Sequence, residues 1–249
     1  MKIIDARIRP PFESIGAGRI FNADYATKQL CSKFGRGYPE SAREKSMEIL
    51  FNEMERDNIV KALMPIRRSQ GTGMRNEDYI LLNEKYPDRF IGFAGLDPTP
   101  WKLDDEKYFP IYEKCEKEHI PVYITWGGLN GTPWVYDPEI IDHVARTFPK
   151  MKMFLAHAGF PRSAEHTIVA VNHPNVYLGT DIYVINSPGQ QDFIMAGNYA
   201  CKNQICYGSA YPLAPIHEVV ETYKKIFNEE NWDNIFYNNI MSFLTYDEE

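Results

Sequence analysis

Near the start of the chain, Asp5, Arg7 and Arg9 alternate with Ile4, Ala6 and Ile8 in the run KIIDARIR. Successive side chains of a strand point to opposite faces, so the carboxylate and both guanidiniums share one face and the apolar residues take the other. Arginine cannot shed its proton, and a buried charge without compensation is costly. Two guanidiniums on an inner face therefore require an anion, and their forked geometry suits a carboxylate or phosphate. An internal brace, with Asp5 and Asp181 pairing the arginines, is the alternative. His157, closing the run MKMFLAH, is the one histidine of six at a predicted strand end, which makes it the available general acid or base. The other five, His119, His143, His166, His173 and His217, fall on predicted helices or loops and are expected at the surface.

Such groups need a scaffold that brings them together. Short β-branched runs at 2–8, 59–65, 90–97, 121–126, 151–157, 175–181 and 204–209 alternate with amphipathic helical runs, the pattern of parallel βα units. Ser41 and Glu44 form a capping-box pattern ahead of Met47, Leu50, Phe51 and Met54, which share one helical face. Asp137 and Pro138 open a second helix with Ile140, Ile141, Val144 and Phe148 on its face, and two more helices are expected near 214–227 and 231–245. Residues 11–39, rich in glycine and aromatics, read as a long loop over the pocket.

A chain of 249 residues is close to the ~250 typical of a (β/α)8 barrel, so we expect one TIM-type α/β domain over 1–249. Only seven strands are visible. The stretch between 97 and 121 has room for a single helix, so one βα unit is missing unless a strand lies near 99–103.

In a parallel barrel the reactive groups sit at the carboxyl ends of strands. By that rule Arg7 and Arg9, helped by Arg68, orient a substrate carboxylate, while Thr125 and Trp126 line the site with Trp126 covering the substrate. His157 moves a proton, Asp181 orients it, and Tyr183, Ser209 and Tyr211 are secondary donors.

Several segments together resemble the amidohydrolase-related barrel family, the branch that includes nonoxidative decarboxylases of aromatic and unsaturated acids and lactonases. They are IIDARIRPP, YPDRFIGFAGLDP, IPVYITWGG, FLAHAGFP, NVYLGTDIY, YGSAYP and the closing IFYNNIMSFL, which is similar to the family's Ile-x-x-x-Asn-x-x-x-x-Leu helix. The resemblance implies a metal-assisted hydrolase or lyase, but the residues depart from it. Where the family opens with Asp-x-His-x-His, this chain has Arg7 and Arg9. Thr125 stands where members have a histidine, Ala210 where they have an aspartate, and of the usual ligands only His157 is kept. A divalent site needs three or more deprotonated N, O or S ligands. The expectation is accordingly an enzyme without metal or other cofactor, acting on a small organic acid or lactone by lysis, isomerisation or hydrolysis. A catalytically inactive binding protein or subunit is the alternative, and a metallohydrolase using His157, Asp181 and Asp97 ranks third.

With 34 Asp plus Glu against 27 Lys plus Arg, the net charge of -7 argues against nucleic acid or an anionic membrane as a partner. The start MKIIDARIRPP lacks an apolar leader and no apolar window approaches a membrane span, so a cytoplasmic protein is expected. Cys31, Cys115, Cys201 and Cys206 are too few and too scattered for a disulfide framework. An incomplete barrel with an aromatic surface favours a homodimer.

Overall fold

The structure, a computed structural model, describes residues 1–66, 74–95, 102–128 and 137–246. Its strands are β1 (Ile3–Asp5), β2 (Ile59–Pro65), β3 (Phe90–Phe93), β4 (Val122–Thr125), β5 (Met153–Ala156), β6 (Val176–Gly179) and β7 (Ile205–Cys206). The first helices are α1 (Glu13–Gly16), α2 (Ala23–Gln29), α3 (Glu40–Arg43), α4 (Met47–Arg56) and α5 (Asn76–Lys85). They are followed by α6 (Phe109–Lys117), α7 (Pro138–Thr147), α8 (Ser163–Asn172), α9 (Gln190–Asn198), α10 (Ile216–Ile226) and α11 (Asn239–Leu244). Each strand falls in a segment where a strand is predicted, and each pairs in parallel with its neighbour in the chain, in the orders β1-β2-β3 and β4-β5-β6-β7. Helical crossovers between parallel strands dictate that sequential order. Between 102 and 121 the described residues form a 3-10 turn and α6 and no strand, while most of the segment near 99–103 lies outside the described residues. Among the described residues no helix is long and apolar enough to cross a membrane.

The chain divides into two compact units, Met1–Asp97 with Tyr207–Ile226, and Pro98–Cys206 with Phe227–Glu249. In the first unit the opening strand is flanked on both sides. The Ile8 amide donates to the Leu63 carbonyl of β2 (3.1 Å), the Ala6 amide to Tyr207 O (3.0 Å), and Ile8 bridges Tyr211 in parallel. Two-sided pairing explains why Ile4, Ala6 and Ile8 are buried along with Asp5 and Arg7.

The helix expected over 41–57 is broken in two, with Lys45 in the left-handed region at φ 50° between α3 and α4. Its cap is Ser46, whose side chain accepts from the Ile49 amide, and not Ser41. Ser41 is buried, and its hydroxyl donates to Glu53 instead (2.6 Å). Leu50 and Met54 are buried as the stripe predicts. Residues 11–39 are not an irregular loop. They fold into α1, α2 and two 3-10 turns with Phe12, Phe21, Phe34 and Tyr38 turned into the core, because so many aromatics bury more area inside than over a site.

In the second unit α7 begins as predicted, the Asp137 carboxylate accepting from the Glu139 amide (3.1 Å), with Ile140, Ile141 and Val144 buried. β5 and β6 are buried throughout, as strands covered on both faces must be. The ends of α7 and α8 are met by side-chain amides from the residues just before β6 and β7 respectively. Asn175 Nδ2 donates to the carbonyls of Ala145, Phe148 and Met151 (3.3, 3.1 and 3.0 Å). Gln204 Nε2 does the same for Ala170, His173 and Val176 (2.6, 3.1 and 2.8 Å). The last carbonyls of a helix lack internal partners, so each amide replaces solvent that burial excludes. Asn239, the asparagine of the closing-helix motif, is used alike, donating to Lys202 O (2.9 Å) and Ile205 O (2.7 Å). We predict that Asn175→Ala and Gln204→Ala each cost about 2 kcal/mol. For a chain of this length that is a fall of roughly 4–8 °C in Tm by calorimetry. Shifts below about 1 °C would show the carbonyls to be solvated instead.

The four cysteines are free thiols, three of them buried, and burial pushes Cys31 and Cys201 up to about 11. At neutral pH they are protonated and poor nucleophiles.

Candidate active site

β5 stops at Ala156, and the chain turns through His157, Ala158 and Gly159 at φ 67°, 46° and 71°. The left-handed region costs His157 and Ala158, though not Gly159, free energy that only a surrounding fold can hold in place, and such strain concentrates at functional sites. Just past β6, Asp181 also takes a positive φ, 53°. The outcome is a close pair. Asp181 Oδ2 accepts from the His157 main-chain amide (3.2 Å) and lies 2.9 Å from its Nδ1. Asp181 is fully buried and His157 nearly so. A carboxylate beside Nδ1 places the ring proton there in the neutral imidazole and makes Nε2 the basic nitrogen.

Tyr183, two residues beyond Asp181, meets the His157 ring edge to face (centroids 5.0 Å, 81°) and stacks on Phe160 (4.5 Å, 26°). Gly128, two residues after Trp126, takes φ 109°, and a Cβ there would fall 3.0 Å from the Tyr183 hydroxyl and 3.5 Å from His157 Nε2. A phenol and an imidazole nitrogen therefore converge beside a residue with no side chain, where the phenol can donate to a group placed there and Nε2 can accept from it. Thr125 ends β4 half-buried, and the Trp126 amide donates to Ala156 O (3.2 Å). The indole of Trp126 donates to His166 Nε2 (2.9 Å). His166 is thus no surface residue. It is fully buried, because its ring nitrogens find partners that solvent would otherwise supply. Nothing in the helical run SAEHTIVAVN marks it, since its partner Trp126 is forty residues away in the chain.

The first unit holds the other predicted groups. Arg7 is buried and Arg9 half-buried, while Arg68 and Asp97 lie outside the described residues. Asp5 Oδ1 accepts from the main-chain amides of Arg7 (2.9 Å) and Ser209 (3.0 Å). Ser209 Oγ accepts in turn from the Tyr211 amide (3.1 Å). The Tyr211 hydroxyl lies 2.8 Å from Ser41 Oγ, in a chain that ends on Glu53. Burial raises both the Tyr211 phenol and the Glu53 carboxyl from their ordinary values, so Tyr211 stays protonated.

The strand where the family resemblance implies metal ligands presents guanidiniums, which have no lone pair to give. Among the described residues no three of His, Cys, Asp and Glu are grouped to hold an ion.

The family model for amidohydrolases (Amidohydro_2) matches residues 94–244. A solved structure of an uncharacterized TIM-barrel protein from Bordetella bronchiseptica is similar at 29% identity over 98% of each chain, with a TM-score of 0.90. Dihydroxybenzoic acid decarboxylase from Polaromonas sp. JS666, solved with manganese and the inhibitor 2-nitroresorcinol, is 15% identical over 98% of this chain and 96% of its own (TM-score 0.64). The 5-carboxyvanillate decarboxylase of Sphingomonas paucimobilis is 14% identical over 98% of each (TM-score 0.65). No curated protein sequence matches. The fold is a TIM-type (β/α) barrel fold.

Proposed function

Because this chain belongs to the amidohydrolase family, we propose that it is an enzyme that transforms a small organic acid or lactone without a divalent metal ion. The observation that carries this reading is the buried His157–Asp181 pair, with Nδ1 2.9 Å from the carboxylate and Nε2 sharing its approach with the Tyr183 hydroxyl. Asp181 sets the tautomer and stabilises the imidazolium when Nε2 takes a proton. Tyr183 donates to the oxygen on which negative charge develops, a task done best by a donor already in place. In the lyase version Nε2 takes up a proton from solvent, the carbon–carbon bond breaks to release carbon dioxide, and the imidazolium gives that proton to the carbon left behind. In the lactone version Nε2 takes the proton of the attacking water. Arg7 and Arg9 serve as anion holders, a role supported by the burial of Arg7 and the fork geometry of the guanidinium. The similar structures named as decarboxylases of aromatic acids make the lyase version the one to test first.

The test uses protein purified without chelator or metal-affinity steps. Metal content is measured by mass spectrometry, and aromatic and unsaturated carboxylates and lactones are screened with and without EDTA. We expect metal well below one ion per chain and turnover that EDTA leaves unchanged. About one ion per chain together with chelator-sensitive turnover would overturn metal independence. Tight binding of acids with no turnover would favour a binding protein.

A further inference from the structure

His166 belongs to neither the family motifs nor the proton-transfer pair, yet its ring touches the two segments that carry the proposed site. Its Nε2 accepts from the Trp126 indole N–H at the end of β4 (2.9 Å), and its Nδ1 lies 2.9 Å from the Arg162 carbonyl oxygen. A carbonyl only accepts and an indole N–H only donates, so the neutral ring with its proton on Nδ1 is the form that satisfies both. The turn that carries His157 rests on the same ring. A Cβ on Gly159 would come within 2.2 Å of His166 Cγ and Nδ1, and the Gly159 amide donates to the Trp126 carbonyl (3.2 Å).

We propose that His166 is a positioning residue whose neutral form holds the Trp126 indole and the 157–159 turn in register, and that its protonation releases the indole. A proton on Nε2 would put two N–H groups head to head, and the pair must then separate. The charged groups around the ring come from three elements. Arg162 precedes α8 and pairs with Asp137 at the start of α7 (3.6 Å) and with Glu165 of α8 (3.2 Å), while His157 and Asp181 lie across the turn. Burial, foremost, and the Arg162 charge hold the His166 pKa below its ordinary value, against the hydrogen bond to the Arg162 carbonyl and the pull of Glu165 and Asp137. The release therefore falls below the ordinary imidazole range. Its effect on turnover rests on the reading of His157 as the proton carrier, whereas the movement of the indole does not.

The wild-type chain carries the test. Its four tryptophans give four indole N–H signals in an 15N-labelled sample, and the one missing from Trp126→Phe is assigned to Trp126. On titration from about pH 8 to about pH 5, the Trp126 signal should leave its hydrogen-bonded position with a midpoint below the ordinary imidazole value. In His166→Gln, whose side-chain oxygen can accept from the indole, the signal should not titrate. The unfolded chain binds the His166 proton at a higher pH than the folded one, so stability should also fall as pH drops below the ordinary imidazole range. That slope should be shallower in His166→Gln. A Trp126 signal that stays in place to the lowest pH at which the wild-type protein remains folded, or that titrates unchanged in His166→Gln, overturns the proposal. Failure to find any substrate would instead sink the proposed reaction and leave the titration standing.

Discussion

Asp181→Asn should lower kcat by about 10²- to 10⁴-fold on the substrate that the acid and lactone screen identifies, with KM changed far less. Asparagine keeps the shape of the carboxylate and the means to accept from the His157 amide. It loses the charge that stabilises the imidazolium, and its NH2 can turn a donor toward Nδ1, which moves the ring proton to Nε2 and removes the base. His157→Gln should cost as much, since the amide can still hydrogen-bond but cannot titrate. The double variant should be little worse than either single one, because the two residues act as a unit. The measurement is steady-state kcat across pH, with circular dichroism to establish folding. Asp181→Asn retaining kcat within a factor of about three would remove Asp181 from the mechanism.

Arg7→Met should weaken carboxylate binding by about 30- to 160-fold, the loss of one hydrogen-bonded charge pair worth roughly 2–3 kcal/mol. Methionine fills similar volume without the fork. Arg7→Lys keeps the charge but not the paired donors, and should recover only part of the loss. Calorimetric titration with the acid that binds wild type gives the affinities, and thermal unfolding reports the fold separately. If Arg7→Met binds acid normally and only melts earlier, Arg7 is the internal brace that the neighbouring Asp5 also allows.

Seven strands were legible because buried parallel strands are written as short β-branched runs, and α7 was legible because its cap and its apolar stripe agree. The Asp181–His157 pair was legible for a different reason, since residues just past parallel strands gather at one end of a sheet. What stayed hidden depends on partners distant in sequence. On α8 the apolar pattern points the wrong way, with Ile168 and Val171 exposed at 59% and 47% while His166 is buried. Only the Trp126 indole and the Arg162 carbonyl make that burial affordable. Ser41 looked like a helix cap because its spacing to Glu44 is right, but the left-handed Lys45 interrupts the helix and Glu53 claims the hydroxyl. The sequence of residues 11–39 shows glycines and aromatics alike, and glycines suggest a loop only when the aromatics are not needed in the core.

The amides of Asn175 and Gln204 fix more than the ends of two helices. Each stands one residue before its strand, so one added residue between α8 and Asn175, or between α9 and Gln204, risks carrying the donor about 3.3 Å off its carbonyls or forcing a bulge into the strand. In the second unit the connections that lead from helix to strand are thereby closed to insertion. Over evolutionary time those two connections should keep their length, and what the scaffold recognises will change by exchange of side chains around them, without renegotiating how it folds.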